Sequence, residues 1–542
     1  MKDTDCGHPA TITELRGTAE QGRLVLAGVL DRLDGAFPAA ARRHRLGPGA
    51  HLVPLGGGSS LLIALAPATA SREGWSGQLV LSATVLNRSG LGDAEVAKAL
   101  ACLQSVPFTG SECEAFGEQL PLLAGLPRRV PDKPLRGCGL LLAGHLLSDL
   151  VVQAQTLIAL GARPETMTVL DRGRPHKFRR RVEAHLAALG IAVLPASDVE
   201  TALRLHAARV MEPSVVLDDG GLVAPALALL APELLPAYRG LVEQSMAGVE
   251  VLEGLGADLP LPVFNVARSR VKRGIEAHWI AESVVRAIRE LLPGEGFDGA
   301  PALVIGFGTV GEQVAAVLRA QRMRVAVFDS EWPRLLAAHE AGYLTSPEVP
   351  ALLDGHRPLL IVSSTGRTGL GGEDLDFLAG DCFVASVSGR ATEIDLPGLA
   401  RRATRVEDLG RVGMRYLLPA GPVTVLAAGL PVNLPRGDAA SAAPARQSDL
   451  TMAAVVWGAC ALARPGHGFA PGPDMAATDA SIAESGLVER YYGLYGAGVG
   501  AGVRGRSRSR AGGSGEGARA GAGAAGHGTA RRSRGRARIS EV

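Results

Sequence analysis

Residues 301–343, PALVIGFGTVGEQVAAVLRAQRMRVAVFDSEWPRLLAAHEAGY, decide how this chain folds. The apolar run at 302–305 predicts a buried parallel strand, and a Gly-x-Gly-x-x-Gly pattern follows it directly. Apolar residues at helical spacing come next, and a second strand is predicted at 324–328, ending in Asp329. Strand, glycine turn, helix, strand and acid, in this order, form the unit that binds a dinucleotide.

Each glycine of this pattern has its own predicted role. Gly306 makes the tight turn, Gly308 lets the backbone approach a pyrophosphate, and Gly311 lets the helix pack closely against the strand. The pyrophosphate would lie at the helix N-terminus, beside Thr309 and Val310, because unpaired N–H groups and the helix dipole favour an anion there. An ordinary packing turn is the alternative, since glycines also mark turns that bind nothing.

Asp329 indicates which dinucleotide is bound. It follows Gly311 by eighteen residues, close to where a carboxylate binds both ribose hydroxyls. A carboxylate at this place would repel a 2′-phosphate, so the sequence predicts NAD rather than NADP. Apolar runs at 359–366, which includes Thr365, and at 382–389 are predicted to be later strands of the same cofactor sheet.

The composition is that of a globular protein with one unusual end. The 542 residues are 47% hydrophobic and 20% charged, which suits two to four domains with a sizeable core. The net charge of +2 hides a basic tail, because residues 500–542 carry ten Arg against two Glu. This tail could bind nucleic acid non-specifically by charge, and a merely solvated tail fits the composition equally well. Six scattered cysteines, with no visible signal peptide or membrane span, lead us to expect a soluble cytoplasmic protein.

The pattern of predicted elements gives an α/β fold with two doubly wound parallel-sheet domains. Residues 1–112 are predicted to be an extra N-terminal α/β segment of unknown role. Strand–helix alternation predicts a substrate domain at 113–270, which the chain completes at 430–494. The NAD-binding Rossmann domain is placed at 271–429, and 495–542 are predicted to be a disordered Arg/Gly-rich tail.

Five further motifs occur in a characteristic order. They are LLAGH at 141–145, VLDDGG at 216–221, PVFNV at 262–266 with Lys272 following, EID at 393–395 and PVNL at 431–434. Together with the glycine pattern, this order resembles S-adenosylhomocysteine hydrolases over about residues 120–461. The family uses bound NAD to oxidise the ribose 3′-hydroxyl of its nucleoside substrate; homocysteine is then eliminated, water adds, and the ketone is reduced again.

The resemblance implies a role for specific residues of this chain. Lys272 would act as the base at the 3′-hydroxyl, a task for which an amine is suited and a guanidinium is not. His145 and Asp219 would transfer protons near C4′ and C5′. Thr365 and Asn433 would contact the cofactor, and the family assembly implies a homo-oligomer. No metal ligand and no membrane partner are predicted.

The chain departs from the family at several site positions. Gln244 replaces a glutamate, Ala267 and Ala277 replace asparagines, and Glu276 replaces an aspartate. These changes keep a second hypothesis open, in which the protein is a non-catalytic NAD-binding paralogue acting as a sensor or scaffold. A 2-hydroxy-acid dehydrogenase is a third hypothesis, but it explains neither the DDGG motif nor the context of Lys272.

Overall fold

The computed structural model describes residues 10–67, 78–87, 91–173, 178–256, 259–387, 392–433 and 445–496. The predicted disordered tail lies outside the described residues from position 497 onward. No helix within these ranges is both long enough and apolar enough to span a membrane.

The strands are β1 (Ala10–Arg16), β2 (His44–Gly47), β3 (Ala50–Gly56), β4 (Ser59–Pro67), β5 (Gln78–Leu86), β6 (Gly139–Gly144), β7 (Met167–Asp171), β8 (Ala192–Pro195), β9 (Ser214–Asp218), β10 (Tyr238–Glu243), β11 (Pro262–Asn265), β12 (Pro301–Ile305), β13 (Arg324–Phe328), β14 (Leu344–Thr345), β15 (Leu360–Ser363), β16 (Cys382–Ser386), β17 (Arg405–Asp408), β18 (Gly413–Leu418), β19 (Gly421–Leu426) and β20 (Gly472–Pro473). The α-helices are α1 (Ala19–Ala36), α2 (Asp93–Gln104), α3 (Gly110–Gln119), α4 (Pro121–Ala124), α5 (Ser148–Ala159), α6 (Arg179–Ala188), α7 (Val199–Arg209), α8 (Val223–Pro225), α9 (Met246–Leu255), α10 (Ala277–Leu291), α11 (Thr309–Ala320), α12 (Trp332–Glu340), α13 (Val349–His356), α14 (Leu396–Arg402), α15 (Ala445–Ala463), α16 (Met475–Glu484) and α17 (Leu487–Tyr495). A π-helical turn, Lys272–Glu276, immediately precedes α10.

The N-terminal segment has a sheet of its own. Its strands follow the order β1-β5-β4-β3-β2 and all neighbours are antiparallel. Alternation along β5 buries every second side chain, as expected for a sheet with one covered face. Apolar residues of α1 and α2 join this core. The segment therefore combines helices and strands around one core of its own.

The second sheet is the predicted parallel sheet of the 113–270 region. Its order is β20-β11-β10-β9-β6-β7-β8, and every neighbouring pair is parallel. β6, β7 and β9 are apolar along almost their whole length and buried, because helices cover both faces of a parallel sheet. β6 starts the sheet at its centre, and the chain later continues on the other side of it with β9. The boundary between β6 and β9 is thus a topological switch point, where open α/β sheets bind ligands.

The third sheet contains the dinucleotide unit. Its order is β14-β13-β12-β15-β16-β19-β18-β17. The six strands from β14 to β19 are parallel to their neighbours, and the boundary between β12 and β15 is the switch point. β17 and β18 extend the predicted parallel sheet with antiparallel pairing. The reason is local: the two-residue turn of Pro419 and Ala420 joins β18 directly to β19, which begins at Gly421 with a φ of +127°.

Candidate functional site

The glycine turn after β12 has the geometry that its sequence predicts. Gly306 has a φ of +96°, a conformation that other residues adopt only under strain. A Cβ on Gly311 would lie 1.9 Å from the Gly306 oxygen, so helix α11 touches the turn only because residue 311 has no side chain. A Cβ on Gly308 would instead meet nothing closer than an Arg334 nitrogen at 3.6 Å. Gly306 and Gly311 therefore build the turn, while Gly308 leaves space in front of it.

Asp329 is fixed beside this turn by the backbone. Its Oδ2 accepts a hydrogen bond of 2.6 Å from the Phe307 N–H, and its Oδ1 accepts one of 2.8 Å from the Glu331 N–H. The carboxylate lines a cavity of about 470 Å³ together with Gly306, Gly308 and Thr365. The predicted ribose-binding acid thus lies at the carboxyl end of β13, next to the predicted pyrophosphate turn.

The other predicted cofactor residues have different surroundings. Thr309, the first residue of α11, lines a second cavity in front of the helix N-terminus. Val310 packs against the hydrophobic core. Asn433 lies beyond β16, next to Val432, whose N–H bonds to the Ser386 oxygen, and it is not among the residues that line these two cavities.

These features together fit a dinucleotide. The turn leaves room for a ligand at Gly308, and Gly308 and Thr309 line a cavity at the N-terminus of α11. The first N–H groups of a helix have no acceptor within the helix, so this end favours an anion. Arg270, Arg273 and Arg334 line the same cavity, together with the acid Glu312. Arg270 pairs with Asp479 and Arg334 with Glu331, so their charges are partly balanced, and Arg273 is the arginine that we expect to face a pyrophosphate.

A separate cavity of about 180 Å³ brings together the three predicted catalytic residues, His145, Asp219 and Lys272. His145 follows β6 and Asp219 follows β9, so both stand at the switch point of the second sheet. Lys272 comes from the segment after β11. Gln244 and Glu276 line the same cavity. Residues that are far apart in sequence meet here because parallel strands end at one edge of the sheet.

Two groups hold the Lys272 side chain, the Glu276 carboxylate and the Gln244 backbone oxygen, and Thr451 holds the carboxylate in turn. The Lys272 Nζ lies 3.2 Å from Glu276 Oε2, one helical turn away, and it donates a hydrogen bond to the Gln244 backbone oxygen. Glu276 Oε2 also accepts a hydrogen bond of 2.9 Å from the Thr451 hydroxyl of α15. Lys272 is 20% exposed, so its amine is partly desolvated yet reachable from the cavity.

The departures from the family pattern lie at two kinds of position. Gln244 and Glu276 line the cavity. Ala267 and Ala277 are 2% and 3% exposed, are absent from the cavity wall, and pack into the surrounding structure.

Two buried acids at this cavity, Asp218 in its wall and Glu243 behind it, were not predicted as functional residues. Asp218 ends β9 and Glu243 ends β10, one strand away. Burial raises the pKa of the Glu243 carboxyl, and the neighbouring Asp218 raises it further. Burial likewise raises the pKa of Asp218. The sequence offered a signal for both, because each is an acid at the carboxyl end of an apolar strand.

Comparison with known sequences gives matches of limited extent. No protein-family model matches the chain. Two uncharacterized proteins of Mycobacterium tuberculosis, MT0113 (strain CDC 1551 / Oshkosh) and Rv0104 (strain ATCC 25618 / H37Rv), are each 28% identical over 324 residues. The aligned part covers 56% of this chain and only 60% of the length of these relatives.

Solved structures provide distant likenesses. A dipicolinate synthase from Bacillus halodurans is 12% identical with a TM-score of 0.29, over 49% of this chain and 87% of its own. A 2-hydroxyacid dehydrogenase from Ketogulonicigenium vulgare Y25 is 15% identical with a TM-score of 0.32, over 49% of this chain and 77% of its own. A phosphoglycerate oxidoreductase from Vibrio cholerae O395 is 15% identical with a TM-score of 0.30, over 39% and 71%. At such low identities and TM-scores these likenesses carry no argument about function.

Proposed function

We propose that this protein is an adenosylhomocysteinase-like enzyme that uses bound NAD to cleave S-adenosylhomocysteine or a related nucleoside thioether. One observation carries the proposal: His145, Asp219 and Lys272 line a single cavity at the switch point of the second sheet. Their roles are those that the family resemblance implies, and the meeting of the three residues in one cavity supports the proposal separately.

Lys272 is the base of the proposed first step, the oxidation at C3′. NAD, held at the glycine turn and Asp329, would supply the redox chemistry by accepting a hydride from C3′. The Lys272 amine would take the proton of the 3′-hydroxyl, with Glu276 and the Gln244 oxygen fixing its position. The resulting ketone acidifies the neighbouring C4′ hydrogen, which makes loss of the thiol group possible.

His145 and Asp219 are the proposed groups for the later proton transfers. One would remove the C4′ proton and the other would protonate the leaving sulfur, with water then adding at C5′. The cavity wall near them carries the apolar side chains Leu147, Leu150 and Met452. These would limit the access of bulk water to the ketone during the reaction.

A second candidate function is NAD binding without catalysis, as a sensor or scaffold. The observation that favours it is Gln244, which gives the cavity an amide where the family supplies a carboxylate. A site that lacks one charged contact discriminates its substrate less well.

The test uses the full chain supplied with NAD and S-adenosylhomocysteine. Free homocysteine reports complete turnover, and absorbance at 340 nm reports enzyme-bound NADH from the first step. Lys272→Ala removes the proposed base. Lys98→Ala is the matched control, because Lys98 is an exposed lysine of α2 in the N-terminal segment.

We expect wild type and Lys98→Ala to release homocysteine and Lys272→Ala to produce neither signal. Bound NADH without homocysteine would mean that only the oxidation step is supported with this substrate. NAD binding with neither signal, for S-adenosylhomocysteine and related nucleosides alike, would refute the enzyme proposal in favour of the sensor or scaffold.

A further inference from the structure

Glu243 is a fully buried acid between two parts of the candidate active site. Its side chain is 0% exposed and lies at the end of β10. On one side it faces Gly220 and Gly221, which directly follow Asp219. On the other side it faces Ser245, which directly follows Gln244. The loop carrying Asp219 and the turn whose carbonyl binds Lys272 therefore meet at this carboxyl.

The two oxygens of Glu243 accept different sets of hydrogen bonds. Oε1 accepts hydrogen bonds from the Ser245 N–H at 2.7 Å, the Ser245 hydroxyl at 2.8 Å and the Gly220 N–H at 3.3 Å. Oε2 accepts one hydrogen bond, from the Gly221 N–H at 3.2 Å. Oε1 thus serves mainly the Ser245 turn, whereas Oε2 serves only the loop of Asp219.

The backbone around Glu243 is shaped to admit its carboxyl. A Cβ on Gly248 would lie 2.1 Å from the Glu243 carboxyl carbon, so α9 can approach only because residue 248 is glycine. A Cβ on Gly221 would lie 2.9 Å from the Gly248 Cα, so this glycine too is needed for close approach. Among the described residues no ion pair joins a cation to Glu243 or Asp218. The carboxyl accepts hydrogen bonds from three backbone N–H groups and from the Ser245 hydroxyl.

We propose that Glu243 is a positioning residue, which sets the place of Asp219 through Gly220 and Gly221. The proposal rests on the proposed function, because it assigns Asp219 a role in the later proton transfers. Glu243 itself does not line the cavity and acts only through the loop.

The substitution Glu243→Gln tests whether the Asp219 loop depends on the hydrogen bond that Oε2 accepts from the Gly221 N–H. The amide oxygen can take the place of Oε1, with its three donors, and the NH2 group must then oppose the Gly221 N–H. Because both of these groups are donors, one hydrogen bond is lost and a buried N–H is left without an acceptor, which lowers stability. The Asp219 loop should therefore loosen, while the Ser245 turn and the Lys272 contact to Gln244 should persist.

Three measurements follow from this asymmetry. Hydrogen exchange by mass spectrometry should accelerate on the order of tenfold in the peptide that contains Gly220 and Gly221. Homocysteine release should fall on the order of tenfold or more, while the bound-NADH signal stays within about twofold. Adding Glu243→Gln to Asp219→Asn should cause no further loss of homocysteine release, because residues that act as a unit are not additive.

Two further variants make the test decisive. Glu250→Gln is the matched control, since Glu250 is an exposed acid on the neighbouring helix α9. Glu243→Asp should lower both signals, because a shorter side chain withdraws both oxygens. If Glu243→Gln does not fold, Glu243→Asp replaces it in the exchange measurement alone, where the peptide that contains Gly220 and Gly221 should still exchange faster than in wild type.

Unchanged exchange at Gly220 and Gly221 in Glu243→Gln would overturn the inference, whatever the enzyme does. So would an equal loss of both signals in Glu243→Gln, or a full additive loss in the double variant. If the loop loosens while wild-type protein releases no homocysteine, the positioning of the loop stands and the proposed function fails.

Discussion

The two glycines Gly308 and Gly311 should respond to alanine substitution in opposite ways. At Gly311 the added Cβ would lie 1.9 Å from the Gly306 oxygen, whereas real contacts of this kind are essentially never below 3.0 Å, so the backbone must separate by about 1.1 Å. Overpacking against backbone costs about 1–3 kcal/mol or more. We therefore expect Gly311→Ala to lower the free energy of unfolding by about 3 kcal/mol, even without NAD.

Gly308→Ala should spare the folded state and damage ligand binding. Its Cβ has no neighbour closer than 3.6 Å, and its φ of −75° suits any residue. The methyl group would point into the space in front of the turn, where the pyrophosphate is expected. We expect a change in stability within about 1 kcal/mol, because glycine is only a moderate N-cap. The dissociation constant for NAD should rise on the order of tenfold to a hundredfold, since the pyrophosphate can no longer reach the turn.

The assay is urea unfolding with and without NAD, together with calorimetric titration of NAD into each variant. Because NAD binds the native state and not the unfolded chain, it should raise the free energy of unfolding of wild type by an amount that grows with NAD concentration. At the same NAD concentration, Gly308→Ala should lose this stabilisation. NAD affinity in Gly308→Ala equal to that of wild type would refute the assignment of the pyrophosphate site. A Gly311→Ala protein as stable as wild type would refute the packing argument.

Three further predictions concern charged and titratable groups. His206 is 2% exposed and bonded to a threonine and a serine hydroxyl; burial, reinforced by Arg209, lowers its pKa from 6.5 to about 4. On acidification His206 binds a proton in the unfolded chain before it does so in the folded protein, so the free energy of unfolding should fall by about 3 kcal/mol between pH 6.5 and 4. Urea titrations of His206→Gln should not show this loss. Arg181→Met should cost about 3–5 kcal/mol in thermal or urea unfolding, because it leaves Glu112 buried without its partner, and adding Glu112→Gln should restore part of the loss. Glu276→Gln should lower the rate of bound-NADH formation on the order of tenfold with NAD affinity unchanged, because it removes the ion pair that holds the proposed base; an unchanged rate would contradict that role.

The hydrophobic pattern of the sequence was sufficient to predict the two central strands of the dinucleotide unit. The strand predicted at 324–328 is β13 residue for residue, and the strand predicted at 302–305 is β12 with one residue added. Each contains a run of four apolar residues with a glycine turn or an acid directly after it, so length, periodicity and boundary signals all agree. β17 is a weaker case, because its side chains are exposed or half-buried and the sequence RVED leaves no hydrophobic pattern to detect.

The candidate site was predictable only in part, for a physical reason. His145 and Asp219 follow strands directly, and strand ends converge at one edge of a parallel sheet, so their meeting could be foreseen. The role of Glu243 could not, because it depends on which backbone N–H groups point at each oxygen. The place of Asn433 could not be predicted either, because it depends on how the chain returns from the cofactor sheet. Asn433 lies beyond β16 and outside both cavities at the glycine turn.

The segment after β11 links the two candidate sites more closely than either motif suggests. Lys272 lines the cavity with His145 and Asp219, whereas the next residue, Arg273, lines the cavity at the N-terminus of α11. A single peptide bond therefore separates the proposed base from a residue beside the predicted pyrophosphate. Both residues belong to the π-helical turn Lys272–Glu276, and consecutive side chains of any helix project in different directions, so one turn reaches both cavities. Under the proposed function, oxidation of a substrate hydroxyl by a bound dinucleotide requires the two sites to adjoin, and Lys272 and Arg273 would lie at their boundary.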